Sequence, residues 1–437
     1  MKLKSLIVNR LFNQYSYNID FKDDINIITS PNGYGKSTIL RTISSLFDLN
    51  FYYFFQIPFE KIIFKFDNDY YISVAKKNTS SINDDSSDIS EESDILIREQ
   101  LFVSINDEKE IIIEKDDIES SFEQLGFIKF ENDLWFDSKG EKYFSSLDII
   151  IQNPSIIESL FKDKGELLMQ LSGTNVLFIK DNRLFSSSFE KCFSENLIHI
   201  EKYVIEDNAN KLKYILTEKK REFSKRFQAS QSKIIASITV SSNLNILVDE
   251  YNKRAIILNN KLGRAFSIGI CEDIKIPVDF NDGNKVYLSI TLQEYEKVID
   301  EFIEFIEKIE LFIDIITKSE FSNKEILVKS EFGYRFISDS GFFISNKYLS
   351  SGEQHRVITL FELIFNSNNG MLILFDEPEL SNHVMWQLSF ISDMERVFKG
   401  KNIQSIIATH SPQIIDGRWN LTKDLYQISN DNNVSLT

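Results

Sequence analysis

Cysteine is nearly missing from this chain of 437 residues, which has only Cys192 and Cys271. Two thiols cannot build a disulfide framework or a cysteine-ligated zinc site, so neither is expected, and the scarcity fits a reducing compartment. Long apolar runs are missing as well, because no stretch of about 18 uncharged apolar residues occurs. Residues 1–8 have the pattern of a strand instead of a signal peptide. We therefore expect a cytoplasmic protein that does not span a membrane.

Positive charge is in deficit, since 49 Lys and Arg residues stand against 66 Asp and Glu residues, giving a formal net charge of −17. This charge opposes non-specific attraction to the phosphates of nucleic acid, so DNA contact would need a local basic patch or a partner protein. One cationic cluster could contact DNA or an acidic partner, or could simply be a solvated helix face. Its members are Lys211, Lys213, Lys219, Lys220, Arg221, Lys225 and Arg226.

The hydrophobic pattern predicts an α/β protein in three segments. Residues 1–180 read as strands and one helix, and they include a serine-rich and acidic loop at 80–94 that is too polar to pack. Within it, residues 84–94 could instead shield a DNA groove or mimic DNA. Residues 181–320 read as a helical insertion or short arm. In residues 321–437 strands alternate with helices, which predicts a parallel sheet covered by helices.

Two helical stretches make up the predicted insertion. Residues 195–266 show a helical pattern with few glycines, and residues 291–317 read as one long helix with a broad apolar face. Packing against the rest of the protein explains that face, with a coiled-coil arm as the alternative. Sustained heptads, which a long coiled coil would need, are absent.

A glycine-rich turn follows the apolar run at 25–28 and precedes a helical pattern. In such a P-loop, glycines let backbone N–H groups turn inward around phosphate oxygens, and a lysine reaches the terminal phosphates. Ser30 occupies the position where this motif normally begins with glycine. Ser37 is placed to ligate magnesium, with Thr38 as a second possible contact. The predicted nucleotide-binding residues are Asn32, Gly33, Tyr34, Gly35, Lys36, Ser37 and Thr38.

Two adjacent acids end a hydrophobic strand at residues 371–375. Adjacent acids at the carboxyl end of a buried strand are costly unless a cation uses them. We expect Asp376 to hold magnesium and Glu377 to polarise the attacking water. His410 follows another apolar strand and is expected to contact the γ-phosphate of ATP. The alternatives are a polar turn for the two acids and an ordinary histidine at a strand end.

A further turn, Leu349-Ser350-Ser351-Gly352-Glu353-Gln354, places serine and glycine immediately before a helix. In isolation this pattern is only a helix N-cap. In a chain that also has a P-loop and the two acids, it predicts a second phosphate-binding helix start. Its predicted nucleotide-binding residues are Ser350, Ser351, Gly352 and Glu353.

Together these segments resemble the ATP-binding-cassette (ABC) head ATPases of the SMC, RecF and OLD type, over about residues 1–66 and 325–428. Within that class, residues 350–355, 376–387 and 408–415 are similar to compact bacterial defence ATPases such as Septu PtuA and PARIS AriA. The resemblance implies an ABC-ATPase head with mixed β-sheets and an inserted helical lobe. It also implies ATP and Mg²⁺ as ligands.

The same resemblance implies a homodimer or higher homo-oligomer, in which two heads share ATP. One side of each shared ATP site would come from one head, with Lys36, Ser37, Asp376, Glu377 and His410. The other head would contribute Ser350 and Gly352 on the opposite side of the ATP. Residues 379–383, with Ser381 among them, would be the D-loop that couples the two sites. No residue clearly matches the family's Q-loop glutamine. The candidates are Asn182 and Arg183, with Gln56 and Gln152 as poorer ones.

The sequence leaves several functions open. The first hypothesis is the ATP-hydrolysing subunit of a prokaryotic anti-phage complex that regulates a separate effector, a nuclease of the HNH type that accompanies PtuA. A RecF-like repair ATPase that binds DNA directly, through Lys219, Lys220 and Arg221, is the alternative. A toxin component or non-hydrolysing scaffold is a third reading. A transporter ATPase is disfavoured because such heads carry a compact helical lobe after a clear Q-loop.

Overall fold

The structure is a computed structural model. It describes residues 1–81, 96–106, 110–131, 133–138, 142–160, 175–181, 184–191, 197–238, 247–278, 284–319, 321, 323–380 and 382–434. The predicted acidic loop at 80–94 lies almost wholly outside these residues, as do Asn182, Arg183, Ser381 and Cys192. No helix in the described ranges is both long enough and apolar enough to cross a membrane.

The described chain contains both strands and helices, so the predicted α/β class is confirmed. The strands are β1 (Leu3–Leu11), β2 (Tyr15–Asp20), β3 (Ile25–Thr29), β4 (Lys61–Phe66), β5 (Tyr71–Ser81), β6 (Leu96–Ile105), β7 (Ile111–Glu114), β8 (Phe127–Glu131), β9 (Leu134–Asp137), β10 (Lys142–Ser145), β11 (Val176–Ile179), β12 (Phe185–Lys191), β13 (Leu197–Tyr203), β14 (Lys324–Lys329), β15 (Gly333–Ser338), β16 (Phe343–Ile344), β17 (Leu372–Asp376), β18 (Gln404–Ala408) and β19 (Thr422–Asp424). The α-helices are α1 (Lys36–Phe47), α2 (Tyr52–Gln56), α3 (Lys115–Gln124), α4 (Ser146–Gln152), α5 (Ser155–Leu160), α6 (Val204–Ile238), α7 (Val248–Ser267), α8 (Lys285–Asp300), α9 (Ile303–Lys318), α10 (Ser351–Phe361), α11 (Val384–Phe398), α12 (Pro412–Ile415) and α13 (Leu425–Val434).

A parallel sheet of order β11-β17-β18-β3-β19 forms the centre of the head. Every residue of β17 and β18 is buried, and β17 reads as an apolar run up to Asp376, whereas β18 begins with the polar Gln404 and Ser405. Helix α1 packs against β17 and β18. The predicted parallel, helix-covered sheet and P-loop head fold are therefore confirmed.

A second sheet, of order β2-β1-β4-β5-β6-β7, is antiparallel. The buried side chain of Gln404 on β18 links the two sheets. Its Oε1 accepts from the Leu3 N–H at 2.9 Å, and its Nε2 donates to the Leu3 and Lys22 carbonyls at 2.8 Å each. A polar side chain is tolerated at this depth because it is hydrogen-bonded to backbone groups of Leu3 and Lys22.

The described chain divides into two compact units. Unit 1 comprises Met1–Glu201 and Asn366–Thr437, and unit 2 comprises Lys202–Phe365. These boundaries differ from the predicted divisions at residues 180 and 320. Residues 324–361 belong to unit 2 because β15 and α10 contact α6, and β14 contacts α9. The turn that begins α10 therefore lies in a different unit from the P-loop.

Unit 2 is built from helices α6 to α10 and the hairpin strands β14 to β16. Phe227 and Tyr295 join α6 to α8, with ring centroids 4.5 Å apart. Helix α7 is bonded to its neighbours by two bidentate ion pairs. Arg254 pairs with Glu296 of α8, and Arg264 pairs with Glu310 of α9. Gly333 of β15 lies so close to α6 that an added Cβ would be 1.9 Å from the Ala209 carbonyl oxygen. Only glycine fits there.

Two expectations for the insertion were wrong. Residues 291–317 are not one helix, because α8 ends at Asp300 and α9 begins at Ile303. The buried Phe302 lies at the break, where its N–H bonds to the Ile299 carbonyl and its ring packs on Phe223. Residues 195–266 are not wholly helical either, since β13 occupies Leu197–Tyr203. Short apolar runs such as the one that opens β13 cannot be separated from buried helix by periodicity alone.

Candidate functional site

The carboxyl edge of the central sheet collects most of the predicted residues. β3 leads into the P-loop, β17 ends in Asp376, and β18 ends two residues before His410. Because the strands are parallel, these three ends lie at the same edge, where α/β proteins bind their ligands. Three segments that are far apart in sequence therefore form one site in unit 1.

The P-loop backbone is arranged for an anion. Gly33 and Gly35 have φ values of +88° and +83°, which side chains other than glycine rarely adopt. A Cβ at Gly35 would also lie 2.9 Å from Leu11 Cδ2. No side chain caps the N-terminus of α1. The first N–H groups of that helix are therefore left for a ligand, and phosphate is the ligand that such a helix start favours.

Ser30 replaces the usual first glycine without strain. It is not among the residues with left-handed φ in the described chain, so a Cβ is tolerated there. Its backbone carbonyl lies 3.3 Å from Lys36 Nζ. The departure from the common motif thus leaves the turn intact.

Lys36 is buried and points toward the carboxyl edge. Its Nζ lies 2.5 Å from His410 Nε2. Burial lowers the pKa of Lys36, while Glu377, Glu379 and Asp376 act in the opposite direction. An ammonium group surrounded by acids but largely withdrawn from water is well suited to an anionic ligand.

Ser37 and Asp376 lie together as the predicted metal ligands. The Ser37 hydroxyl donates to Asp376 Oδ1 at 2.7 Å. Burial raises the pKa of Asp376 even though this hydrogen bond opposes the rise. A buried carboxylate next to a hydroxyl is the oxygen donor set that Mg²⁺ accepts beside a nucleotide. These residues therefore fit a divalent cation.

Glu377 has an unusual backbone. Its φ is +46°, in the left-handed region, and its N–H donates to the Ala408 carbonyl at 2.9 Å. Non-glycine residues seldom hold this conformation, which costs of the order of 1 kcal/mol and often marks functional sites. Glu377 Oε1 lies 3.5 Å from His410 Nε2. The backbone thus holds the two predicted catalytic side chains next to each other.

Glu379, Asn382 and Gln387 also belong to a hydrogen-bonded network that sequence reasoning missed. Glu379 Oε1 accepts from the His410 N–H at 2.7 Å, and Gln387 accepts from the Ser411 hydroxyl at 2.6 Å. Gln387 Nε2 also donates to the Asn382 carbonyl at 2.9 Å. The predicted D-loop segment is therefore bonded to the strand end that carries His410. The partners lie 24 and 31 residues apart, so no local pattern could reveal them.

A family model described as AAA ATPase domain matches residues 1–415. The chain belongs to this family. The match covers all the residues of the carboxyl-edge site, and membership of an ATPase family supports nucleotide binding by the chain. No curated protein matches the chain significantly.

Solved structures similar to this ATPase include three SMC heads. One is an SMC head bound to the C-terminal winged-helix domain of ScpA, with 11% identity, TM-score 0.36, and 95% of this chain and 91% of that chain covered. Another is the Pyrococcus furiosus SMC head with an extended coiled coil bound to the ScpA C-terminal domain, with 13% identity, TM-score 0.33, and coverage of 94% and 90%. The third is the Thermotoga maritima SMC head, with 11% identity, TM-score 0.32, and coverage of 95% and 92%.

The second predicted phosphate-binding turn lies in unit 2 and differs from the P-loop. Ser350 caps α10 by accepting from the Glu353 N–H at 3.3 Å, and Glu353 Oε2 accepts from the Ser350 N–H at 2.9 Å. Glu353 is buried and also pairs with Lys324. The carboxylate of Glu353 is thus bonded to both Ser350 and Lys324. The helix begins at Ser351, so Ser351 and Gly352 lie in its first turn and not before it as predicted.

The tyrosine of the P-loop belongs to an aromatic cluster. The Tyr34 ring lies 4.9 Å from that of Tyr15 and 5.5 Å from that of Tyr426. The Tyr17 hydroxyl donates to the Tyr34 carbonyl at 2.7 Å. This cluster fixes the P-loop against β2 and α13. No local pattern could predict this cluster, because the four tyrosines come from three separate segments of the chain.

The predicted basic cluster is largely paired in unit 2. Lys219 donates to Glu222 at 2.8 Å, Arg221 lies 3.2 Å from Glu218, and Lys220 lies 3.9 Å from Glu272. Each of these cations has a carboxylate nearby, which reduces the local positive potential that phosphate binding requires. Direct DNA binding through these residues is therefore not favoured.

The Q-loop candidates remain without a structural assignment. Gln56 ends α2 and Gln152 ends α4, and both side chains are exposed. Asn182 and Arg183 lie outside the described residues. Asp181, next to them, is close enough to the carboxyl edge to raise the pKa of Asp376, although burial of Asp376 is the larger cause.

Proposed function

We propose that this ATPase binds ATP with Mg²⁺ at the carboxyl edge of unit 1 and hydrolyses it slowly at a site completed by a second copy of the chain. One observation carries the proposal: the uncapped start of α1 lies among Lys36, Ser37, Asp376, Glu377 and His410. This combination supplies every group that phosphoryl transfer to water needs from one head.

Each side chain has a distinct part in the proposed reaction. Lys36 and the N–H groups of α1 bind the β- and γ-phosphates, and Lys36 exchanges its contact with His410 for the phosphate oxygens. Ser37 and Asp376 ligate Mg²⁺, which when bound neutralises phosphate charge. Glu377 accepts a hydrogen bond from the attacking water and orients it. His410 then donates to a γ-phosphate oxygen.

The second copy contributes the turn at Ser350 and Gly352. The two helix starts lie in separate units, and a site shared between two subunits would bring the P-loop of one copy to this turn of the other. Turnover is slow in this scheme because the site must assemble before water is aligned. The homodimer is therefore the minimal active form, and higher homo-oligomers are compatible with it.

Purified wild-type protein and three variants test the ATPase proposal. We expect Glu377→Gln to bind ATP and Mg²⁺ and to form a stable dimer by light scattering, while phosphate release falls by about 100-fold or more. Lys36→Met should lose both binding and dimerisation. Glu123→Gln, an exposed glutamate on α3, is the matched control and should behave as wild type. Wild-type turnover that persists in Glu377→Gln would refute the role of Glu377.

We further propose that the ATPase serves a prokaryotic anti-phage complex, holding a separate nuclease effector of the HNH type and regulating it through its nucleotide state. The support is the similarity of the segments around residues 350–355, 376–387 and 408–415 to compact defence ATPases. Expression from the native locus should reduce phage plating, and the reduction should vanish in Lys36→Met. A native complex that contains no nuclease and restricts no phage would exclude this role.

A further inference from the structure

We propose that Lys324 is a positioning residue of the signature turn, which we define as residues 349–354, and that it acts on Ser350 through Glu353. The inference rests on the proposed function, because it concerns the turn that one copy would present to the ATP of the other. All three residues lie in unit 2.

The geometry forms a continuous chain of contacts. Lys324 Nζ donates to Glu353 Oε1 at 2.7 Å. The other carboxylate oxygen, Oε2, accepts from the Ser350 N–H at 2.9 Å and from the Ser350 hydroxyl at 3.0 Å. Lys324 therefore fixes one end of the carboxylate whose other end fixes the serine.

The pair is withdrawn from solvent, so it is stronger than an ordinary surface ion pair. The side chain of Glu353 is 10% exposed and that of Lys324 is 23% exposed. Charge-assisted hydrogen bonds at such sites hold geometry well, and removing one partner leaves the other charge without compensation. Lys324 is the first residue of β14, so a strand holds its backbone in place.

Lys324 also has an electrostatic role in the proposed site. Glu353 lies in the first turn of α10, at the helix end where the proposed γ-phosphate would bind. A carboxylate at that end competes electrostatically with an incoming phosphate. Lys324 offsets this negative charge without occupying the helix start. The same glutamate can thus cap Ser350 without repelling the nucleotide.

Three variants separate this role from simple loss of packing. Lys324→Met keeps most of the side-chain volume and removes the charge. Lys324→Arg keeps the charge. Glu353→Gln removes the negative charge but retains an amide that can still cap Ser350. Lys329→Met, at the exposed far end of the same strand, is the matched control.

For each variant we measure phosphate release and nucleotide binding by the single subunit. ATP-dependent dimerisation is measured separately, with the same substitutions placed in a Glu377→Gln background. We expect Lys324→Met to lower kcat about tenfold, while binding of a fluorescent ATP analogue to the P-loop changes less than about twofold. Lys324→Arg should recover most of the loss. Adding Glu353→Gln to Lys324→Met should also raise kcat, because the uncompensated charge is gone.

The opposite outcomes overturn the proposal. These are an unchanged kcat in Lys324→Met, a loss that Lys329→Met reproduces, or a double variant with the summed defects of its two singles. Wild-type protein without turnover would instead refute the proposed function. Hydrogen exchange at the Ser350 and Glu353 amides then decides the positioning role alone, and equal exchange in wild type and Lys324→Met would reject it.

Discussion

The P-loop of unit 1 and the signature turn of unit 2 are two helix starts prepared in opposite ways. Helix α1 has no side-chain cap, and the lysine at its first position is buried among acids. Helix α10 is capped by Ser350 and Glu353, and Lys324 is bonded to that glutamate. The first site is open to an anion, whereas the second is internally satisfied. A nucleotide should therefore bind first at the P-loop and meet the capped turn afterwards.

The largest expected effect separates binding from turnover. We expect Lys36→Met to lower nucleotide affinity by about 100-fold or more, because the buried ammonium contacts the phosphates directly. Ser350→Ala should leave the affinity of the single subunit within about twofold but lower kcat by about 100-fold. Titration with a fluorescent ATP analogue and phosphate release measure the two quantities. Equal losses of affinity in both variants would mean that one subunit uses both turns on the same nucleotide.

Glycines in the two units provide the next test. Gly333→Ala should lower the free energy of unfolding by about 3 kcal/mol or more, because its Cβ would overlap the Ala209 carbonyl and its φ is +76°. Gly33→Ala should cost only about 1 kcal/mol, since its φ is +88° but no atom lies within 4 Å of the added Cβ. Denaturant unfolding gives both values. A smaller effect at Gly333 would show that β15 can move away from α6.

The smallest effect concerns the far end of the P-loop helix. Burial raises the pKa of Asp48, which follows α1 at its negative C-terminal end, above its ordinary value of 3.8. The folded protein therefore binds this proton more tightly than the unfolded chain does. The stabilisation of the folded state by the proton on Asp48 is complete below pH 3.8. It is lost as the pH rises through the pKa that Asp48 has in the folded protein. Asp48→Asn should thus raise the free energy of unfolding at pH 7 and leave it little changed near pH 3.

The exposed Asp67→Asn is the control for this comparison and should change the unfolding free energy by less than about 0.5 kcal/mol at either pH. Unfolding midpoints measured from pH 3 to pH 7 give the dependence. A constant difference between Asp48→Asn and wild type across that range would mean that titration of Asp48 does not contribute.

Local pattern was sufficient for the segments that carry the site. Apolar runs that are followed by glycine, acid or histidine predicted the strands β3, β17 and β18. Because these strands are parallel, the residues that follow them lie at one edge of the sheet. The break at Phe302 was not predictable, since it depends on packing against Phe223 of another helix. The contacts of Glu379 and Lys324 were missed for the same reason. Each joins residues about 30 positions apart in sequence, and only the folded chain brings them together.

The sheet order has a consequence for how the protein is made. In the described chain, β3 pairs only with β18 and β19, so the strand that supports the P-loop is synthesised almost 400 residues before its neighbours. At about 5 to 20 residues per second, a ribosome leaves β3 without a sheet for roughly 20 to 80 seconds. During that interval Gln404 cannot yet bind the Leu3 backbone, and no nucleotide site exists. A nascent chain therefore lacks the proposed nucleotide site until β18 and β19 emerge, long after the P-loop has been synthesised.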